Sequence, residues 1–244
     1  MSLKSRIGSR IAHPVDKRRY VRELFGRIAG RYDLTNDVMS LGMHRIWKRK
    51  LLELAGLRPG MTVLDLAAGT GDLAIGAAAR LGHDAGFVVA GDLTPEMMRI
   101  GKARAPGAVV WVASDALELP FQDASFDRVL IGYGLRNFPD LTRCLTEIHR
   151  CLRPGGRMVA LDFGKPASRR IRRFYLRYLD VSTRAVGWTL HRDPEAYLYI
   201  PESLRRFSAQ QGVAAEMGRL GFVRYGYVDL LFGAMALNFG DRAP

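Results

Sequence analysis

The residues best placed to do chemistry gather around residues 63–72, which read VLDLAAGTGD. An apolar run carries Asp65 into a turn of small residues, Ala67, Ala68, Gly69, Thr70 and Gly71, and a helix opens at Asp72 or Leu73. Glycines let a backbone approach a ligand where a Cβ would collide, and the first N–H groups of a helix lack intrahelical partners. Such a turn forms the first crevice of a doubly wound sheet and suits a nucleotide-bearing cofactor. Twenty-one residues after Gly71, Asp92 closes the next apolar run, with Leu93 beside it, where a carboxylate could accept from a ribose diol. The following run ends in Ala113-Ser114-Asp115-Ala116, so Asp115 comes to the same edge, within reach of an adenine amino group. NAD and S-adenosylmethionine both carry the diol. Carboxylates at 65 and 72 would repel a pyrophosphate but tolerate a sulfonium and an ammonium, which favours S-adenosylmethionine. Taken alone, Asp72 could simply complement a helix N-terminus.

These residues need a scaffold that brings successive strand ends to one edge. From Met61, short apolar runs at 62–67, 86–92, 108–113, 126–132 and 156–163 alternate with helical patterns near 71–81, 95–104 and 140–152. That alternation predicts an α/β fold with a doubly wound, mostly parallel sheet. The Arg153-Pro154-Gly155-Gly156 run reads as a turn from helix to strand. Two more strands, at 222–229 and 231–239, predict a C-terminal antiparallel hairpin, for seven strands in all. Residues 17–54 carry helical spacing that reads as two helices, 168–187 read as an Arg-rich helix, and 209–220 as another. The division expected is a flexible basic tail over 1–16 and a single domain over 17–240. Within that domain the expectation is a helical lid (17–57), a cofactor-binding core (61–164), an acceptor-side helical insertion (165–207) and a closing helix with its hairpin (208–240).

The net charge of +13 is unevenly placed. Residues 1–60 hold 14 Lys/Arg against 5 Asp/Glu, and residues 165–224 hold 12 against 5, while 61–164 hold 10 against 12. Basic flanks on a near-neutral core can meet an anionic membrane surface or RNA, or can be merely solvated. No base-stacking or base-reading module is present, which disfavours nucleic acid. No apolar run is long enough to span a bilayer, and the N-terminus lacks the apolar stretch of a secretory signal. The expected location is therefore the cytoplasm, with peripheral contact at the inner face of the cell membrane. Cys144 and Cys151 lie too far apart along one helix for a disulfide, and none of the five histidines, His13, His44, His83, His149 and His191, has zinc spacing with them, so no metal is expected.

Several segments together carry a resemblance. YDLTNDVMSLGMHRIWK (32–48), the small-residue turn, ELPFQDASFD (118–127), GLRNFPD (134–140) and RCLRPGGRMVALDFGKP (150–166) resemble the UbiE-type ubiquinone and menaquinone C-methyltransferases over residues 20–240. The N-terminal signature, Tyr32, Asp33, Asn36, Ser40, His44 and Trp47, is more specific than the glycine turn. The resemblance implies methyl transfer from S-adenosylmethionine to a ring carbon of a prenylated hydroquinone. It places cofactor contacts on Thr70, Asp92, Asp115 and Ala116, and one on Gly132, where the family usually has serine. Other departures are Thr35 for Met, Cys151 for Val, Asp162 for Glu, Gly164 for Ser and Asn238 for His. They leave open a paralogue acting on another lipid-like or small-molecule acceptor, such as a phospholipid N-methyltransferase, with an RNA methyltransferase or a non-catalytic scaffold as remoter alternatives. A homodimer is compatible with exposed apolar positions in the N-terminal helices.

A hydroquinone carbon becomes nucleophilic when its hydroxyl, of pKa about 10 like that of tyrosine, is ionised. The protein must then offer a base or a cation at that oxygen. Arg136, just past the fourth strand, is the candidate cation. His44 is the candidate base by its ordinary pKa, or else a packing residue. Asn36, Asp37, Tyr133, Asn137 and Tyr199 are candidates for orienting the acceptor. The Arg-rich helix with its aromatics could lie at a membrane interface where a prenyl tail emerges, or pack on the core as a lid.

Overall fold

Helices come first in the computed structural model, which describes residues 3–82, 86–188 and 194–244. They are α1 (Leu3–Arg10), α2 (Pro14–Ile28), α3 (Tyr32–Ser40) and α4 (Met43–Ala55). Pro14 occupies the first turn of α2, where its missing N–H costs nothing, and Tyr20, Leu24 and Ile28 at helical spacing turn inward. A 3-10 turn, Ala29–Arg31, leads to α3, which ends at Leu41 and Gly42, both with left-handed φ (50° and 76°). These breaks make three helices where the spacing suggested two. The supposed flexible tail is also helical: Ile7 and Ile11 are buried in a cluster with Tyr20, Leu198 and Tyr199, so apolar burial outweighs the local positive charge.

The core follows as β1 (Thr62–Leu66), α5 (Asp72–Leu81), β2 (Phe87–Asp92), α6 (Pro95–Arg104), β3 (Val110–Ala113), β4 (Phe126–Gly132), α7 (Leu141–Cys151) and β5 (Leu152–Phe163). An insertion contributes α8 (Arg169–Val186) and α9 (Pro194–Arg206), and the chain closes with α10 (Ala209–Arg219), β6 (Phe222–Leu230) and β7 (Met235–Arg242). The seven strands order as β3-β2-β1-β4-β5-β7-β6. The first five run parallel, and β7 lies antiparallel to both β5 and β6. The expected α/β sheet with its C-terminal hairpin is what forms. The direction of winding reverses between β1 and β4, so a crevice opens at their carboxyl ends, where ligands of such sheets bind.

Two local details depart from the sequence expectation. The Arg153-Pro154-Gly155-Gly156 run joins β5 as a bulged start: Leu152 pairs with Phe126 and Arg157 with Arg128, leaving the intervening residues to loop out, with Gly155 at φ 74°. In the hairpin, a 3-10 turn over Leu231–Gly233 takes up residues expected in the last strand, which begins at Met235 opposite Leu230. Cys144 and Cys151 are free and buried. His83 and His191 lie outside the described residues. Among the described residues no helix is long and apolar enough to cross a membrane.

Candidate active site

The turn after β1 is built for close approach. Ala67, Gly69 and Gly71 all take positive φ, at 56°, 58° and 84°. A Cβ on Gly71 would lie 2.6 Å from the ring of Trp111, which also fills the space beside Gly101. The aromatic wedge on β3 therefore fixes the loop from behind, and only glycine fits in front of it. Asp92 braces the loop from the next strand: its two oxygens accept from the N–H groups of Gly69 and Thr94, each at 2.7 Å. Burial raises its pKa against those hydrogen bonds. Each oxygen keeps a second lone pair for a diol.

Asp65, at the carboxyl half of β1, accepts from the Ala74 N–H at 2.8 Å, and its other oxygen is buried without a partner. Burial pushes its pKa up to about 8. A buried carboxyl with one vacant oxygen, beside a small hollow lined by Tyr32, Gly69, Thr70 and Gly132, fits an incoming ammonium. Asp72 does not share that role. Burial alone would raise its pKa, but Lys48 at 2.6 Å and Arg104 at 2.7 Å overcome this and hold it at about 2. Its charge is thus spent on neighbours, correcting the expectation that Asp72 faces a cationic ligand. Thr70 donates to Asp33 at 2.7 Å, and Arg104 caps the Thr70 carbonyl at 3.0 Å. Asp33 belongs to the N-terminal signature, whereas Lys48 and Arg104 carry no sequence signal of their own, because pairing between distant helices leaves no local spacing.

A cavity of about 770 Å³ including its mouth runs along this edge past Leu93, Asp115, Ala116 and Gly132. The α2 helix lies over it. Arg18 reaches Asp115 at 2.7 Å, while the other Asp115 oxygen accepts from the Leu117 N–H at 3.0 Å. The carboxylate expected to meet an adenine amino group is thus closed over by a cation of the N-terminal helix. Next to it, Lys17 donates to the carbonyls of Arg136 (2.9 Å) and Phe138 (2.7 Å). Burial, and then the nearby Arg136 charge, lower the Lys17 pKa to about 8. Composition counted both residues only as basic surface. Their place just ahead of the apolar face of Val21, Leu24 and Phe25 was the one available hint. At Gly132, where the family usually has serine, a Cβ would lie 3.0 Å from the end of the Leu73 side chain.

A second cavity, about 1160 Å³ including its mouth, adjoins the first and shares Phe25, Tyr32 and Tyr133 with it. Its walls are apolar and aromatic: Leu24, Met39, Trp47, Phe163, Tyr175 and Tyr199 among them. Tyr133 stands at the junction with φ 63°, and burial raises its pKa well above 10, so the phenol keeps its proton. Arg136, on a 3-10 turn after β4, is buried in the wall. It donates to Asp162 and to the Tyr133 carbonyl, both at 2.7 Å, and stacks 4.7 Å from the Phe163 ring centroid. Burial opposes its charge, but Asp162 more than compensates and its pKa is raised, so it is a permanent cation. Asn137 donates to the Tyr133 carbonyl at 3.1 Å and accepts from the Tyr199 hydroxyl at 2.9 Å.

His44 lines this same cavity, and also a charged crevice on the outer side with Asp37, Arg45 and Lys48. Its Nε2 meets Asp37 at 2.8 Å, and its Nδ1 is buried with no partner. Hydrogen bonds from His44 and then Arg45 lower the Asp37 pKa. The Asp37 carboxylate can only accept, so Nε2 carries a proton, and in the neutral imidazole Nδ1 offers a lone pair. Asn36 lines the cavity too. Among the described residues no metal-binding cluster occurs.

A doubly wound sheet with a braced glycine turn, acidic residues at three strand ends and an adjoining apolar cavity defines an S-adenosylmethionine-dependent methyltransferase. Solved structures share this fold: a methyltransferase of Aquifex aeolicus superposes with TM-score 0.60 at 18% identity, over 86% of this chain and 98% of that one. Phosphoethanolamine N-methyltransferase 2 of Haemonchus contortus, solved with S-adenosyl-L-methionine, gives 0.58 at 16% identity, over 81% of this chain and 52% of that one. The chain belongs to the ubiE/COQ5 methyltransferase family, whose profile matches residues 13–242. It is 40% identical to the ubiquinone/menaquinone biosynthesis C-methyltransferase UbiE of Acidiphilium cryptum, over 93% of this chain and 92% of that protein. To the UbiE protein of Methylococcus capsulatus it is 39% identical, over 96% of each.

Proposed function

We propose that the protein methylates a ring carbon of a prenylated hydroquinone, of the demethylmenaquinol type, using S-adenosylmethionine. The observation that carries this reading is the apolar cavity that meets the donor pocket at Tyr32 and Tyr133 and holds a buried, permanently charged Arg136 in its wall. An aromatic ring and its tail suit such walls, and a phenolate oxygen suits the guanidinium. Asp65, Gly69, Thr70, Gly71, Asp92, Leu93, Asp115 and Ala116 would hold the donor, whose sulfonium supplies an already activated methyl group.

In this reading His44 is the general base. Its Nδ1 takes the hydroxyl proton of the acceptor, Arg136 stabilises the phenolate left behind, and the ring carbon gains the methyl group. The ring then loses the hydrogen at that carbon and regains its aromaticity while the oxygen takes a proton back from His44, so one proton leaves per turnover. Asp37 holds the imidazole by Nε2 and stands where the outer crevice reaches solvent, which offers that proton an exit. Tyr133 keeps its proton and can donate to an acceptor oxygen, while Asn137 and Tyr199 fix the turn that carries Arg136.

Labelled S-adenosylmethionine, incubated with the protein and reduced prenylated naphtho- and benzoquinols alongside phosphatidylethanolamine, tests the reading. Label on a quinol is the expected result, and label only on the phospholipid overturns it. His44→Asn is expected to lower kcat by about 10²–10⁴-fold with unchanged donor affinity. A kcat equal to that of the parent would remove His44 from the base role.

A further inference from the structure

The mouth of the acceptor cavity carries an unusual set of side chains. Leu41, at the end of α3, is 86% exposed, and Phe232, in the β6–β7 turn, is 82% exposed. Both have left-handed φ, as does Leu231 between β6 and Phe232 (50°, 57° and 49°). Bulky residues rarely adopt this conformation, and it costs backbone energy. Leu41 and Leu231 line the cavity, so the strain sits at its rim and not at random. The turn is backed closely by Gly164, where a Cβ would lie 2.4 Å from the Gly233 carbonyl oxygen. The departure from serine at 164 therefore belongs to the seating of this turn.

Helix α8 completes the rim. Its inner row, Tyr175, Leu179 and Thr183, faces the protein, and Tyr175 donates to the Ala234 carbonyl at 2.8 Å, which ties the helix to the same turn. A second row, Ile171, Phe174, Tyr178 and Val181, repeats at three, four and three and is exposed along its whole length, and Trp188, just past the end of the helix, is exposed too. Tyr178 of this row lines the cavity. Beside it runs a cationic row of Arg170, Arg173, Arg177 and Arg184, and among the described residues Arg170, Arg173 and Arg177 make no ion pair. An apolar row flanked by unpaired arginines is the pattern of a helix lying in a lipid interface.

We propose that this rim, formed by Leu41, the Leu231–Phe232 turn and the outer row of α8, seats in the leaflet of an anionic lipid bilayer. The cavity then opens directly into the acyl layer, and an acceptor's tail stays in lipid while its ring enters the site. A second copy of the chain fits less well, because joining two such faces would bring the arginine rows together. This inference rests on the prenylated-acceptor reading for its purpose, but the docking itself is measured without it.

The test is flotation of the full chain with vesicles of phosphatidylcholine alone, or of phosphatidylcholine with an equal part of phosphatidylglycerol. The protein is expected to float with the anionic vesicles, less with the neutral ones, and less at high salt. The triple variant Phe174→Ser, Val181→Ser, Phe232→Ser should partition about tenfold or more weakly, yet turn over a short-tailed, water-soluble quinol as the parent does. Phe232→Gly, which removes the side chain and relieves the φ, should weaken flotation while holding or raising Tm, a pair of changes that a packing role would not give. The proposal is overturned if the triple variant floats as well as the parent, or if the parent fails to float. A parent dimer that the triple variant dissolves, with no flotation by either, would assign the face to self-association. If the parent floats and no quinol is labelled, the docking surface stands and the acceptor reading falls.

Discussion

Replacing Asp162 by alanine tests the buried carboxylate that holds Arg136. The Asp162 carboxylate accepts from the Arg136 guanidinium at 2.7 Å, from the Arg136 N–H at 3.1 Å and from its neighbour Phe163 N–H at 2.7 Å. Both side chains of the ion pair are only 5% exposed. Removing one partner of such a pair costs about 3–5 kcal/mol, because the remaining charge stays buried and unpaired. A domain holds about 5–15 kcal/mol in total, so Asp162→Ala should remove a large part of its stability. With about 4 kcal/mol lost and a urea slope of about 2–3 kcal/mol/M, the unfolding midpoint falls by roughly 1.3–2 M. The double variant Arg136→Met, Asp162→Asn removes both charges and keeps an amide oxygen for the N–H groups. It should lose no more than about 1–2 kcal/mol, remain folded and bind S-adenosylhomocysteine, yet fail to turn over. Urea denaturation of the parent, Arg136→Met, Asp162→Asn and the double variant closes the cycle, with Asp162→Ala measured beside it. A loss below about 1 kcal/mol for Asp162→Ala, or a double variant equal to the sum of the singles, would refute the buried-pair argument.

Two other sites give sharp expectations. The folded-state pKa of Asp65 is raised to about 8, so the folded protein holds that proton more tightly than the unfolded chain. Its contribution to stability is complete below the ordinary carboxylate range and drains away as pH rises through about 8. Asp65→Asn should flatten the fall in Tm over that window and weaken S-adenosylhomocysteine binding by about tenfold or more, read by calorimetry. An unchanged pH dependence would exclude the raised pKa. Gly71→Ala puts a methyl group 2.6 Å from the Trp111 ring at φ 84°. Overpacking of this kind costs about 1–3 kcal/mol, seen as a fall in Tm of about 2–4 °C per kcal/mol. An unshifted Tm would show that the Trp111 wedge yields freely.

The sheet was legible because its runs are short, apolar and separated by helical spacing, and Asp92 and Asp115 fell at strand ends for the same reason. Strand order is not written locally, since β4 reaches β1 only after β2 and β3 have been placed. What escaped the sequence reading were partners supplied from far along the chain. Asp72 seemed free to face a cation because Lys48 and Arg104 come from other helices. The tail over 1–16 looked flexible because Ile7 and Ile11 are sparse among charges, and their burial depends on α9, near the other end of the chain. Leu231 and Phe232 looked like strand residues by composition, and only the positive φ of each shows that they form a turn.

Lys17 and Arg18 are adjacent on one turn of α2 but hold two different places: the carbonyls beside Arg136, and the carboxylate of Asp115. A shift of that turn would therefore be felt at both places together. One turn of α2 ties the wall of the first cavity at Asp115 to the backbone that carries Arg136 in the wall of the second, so neither cavity can change shape at that point independently of the other.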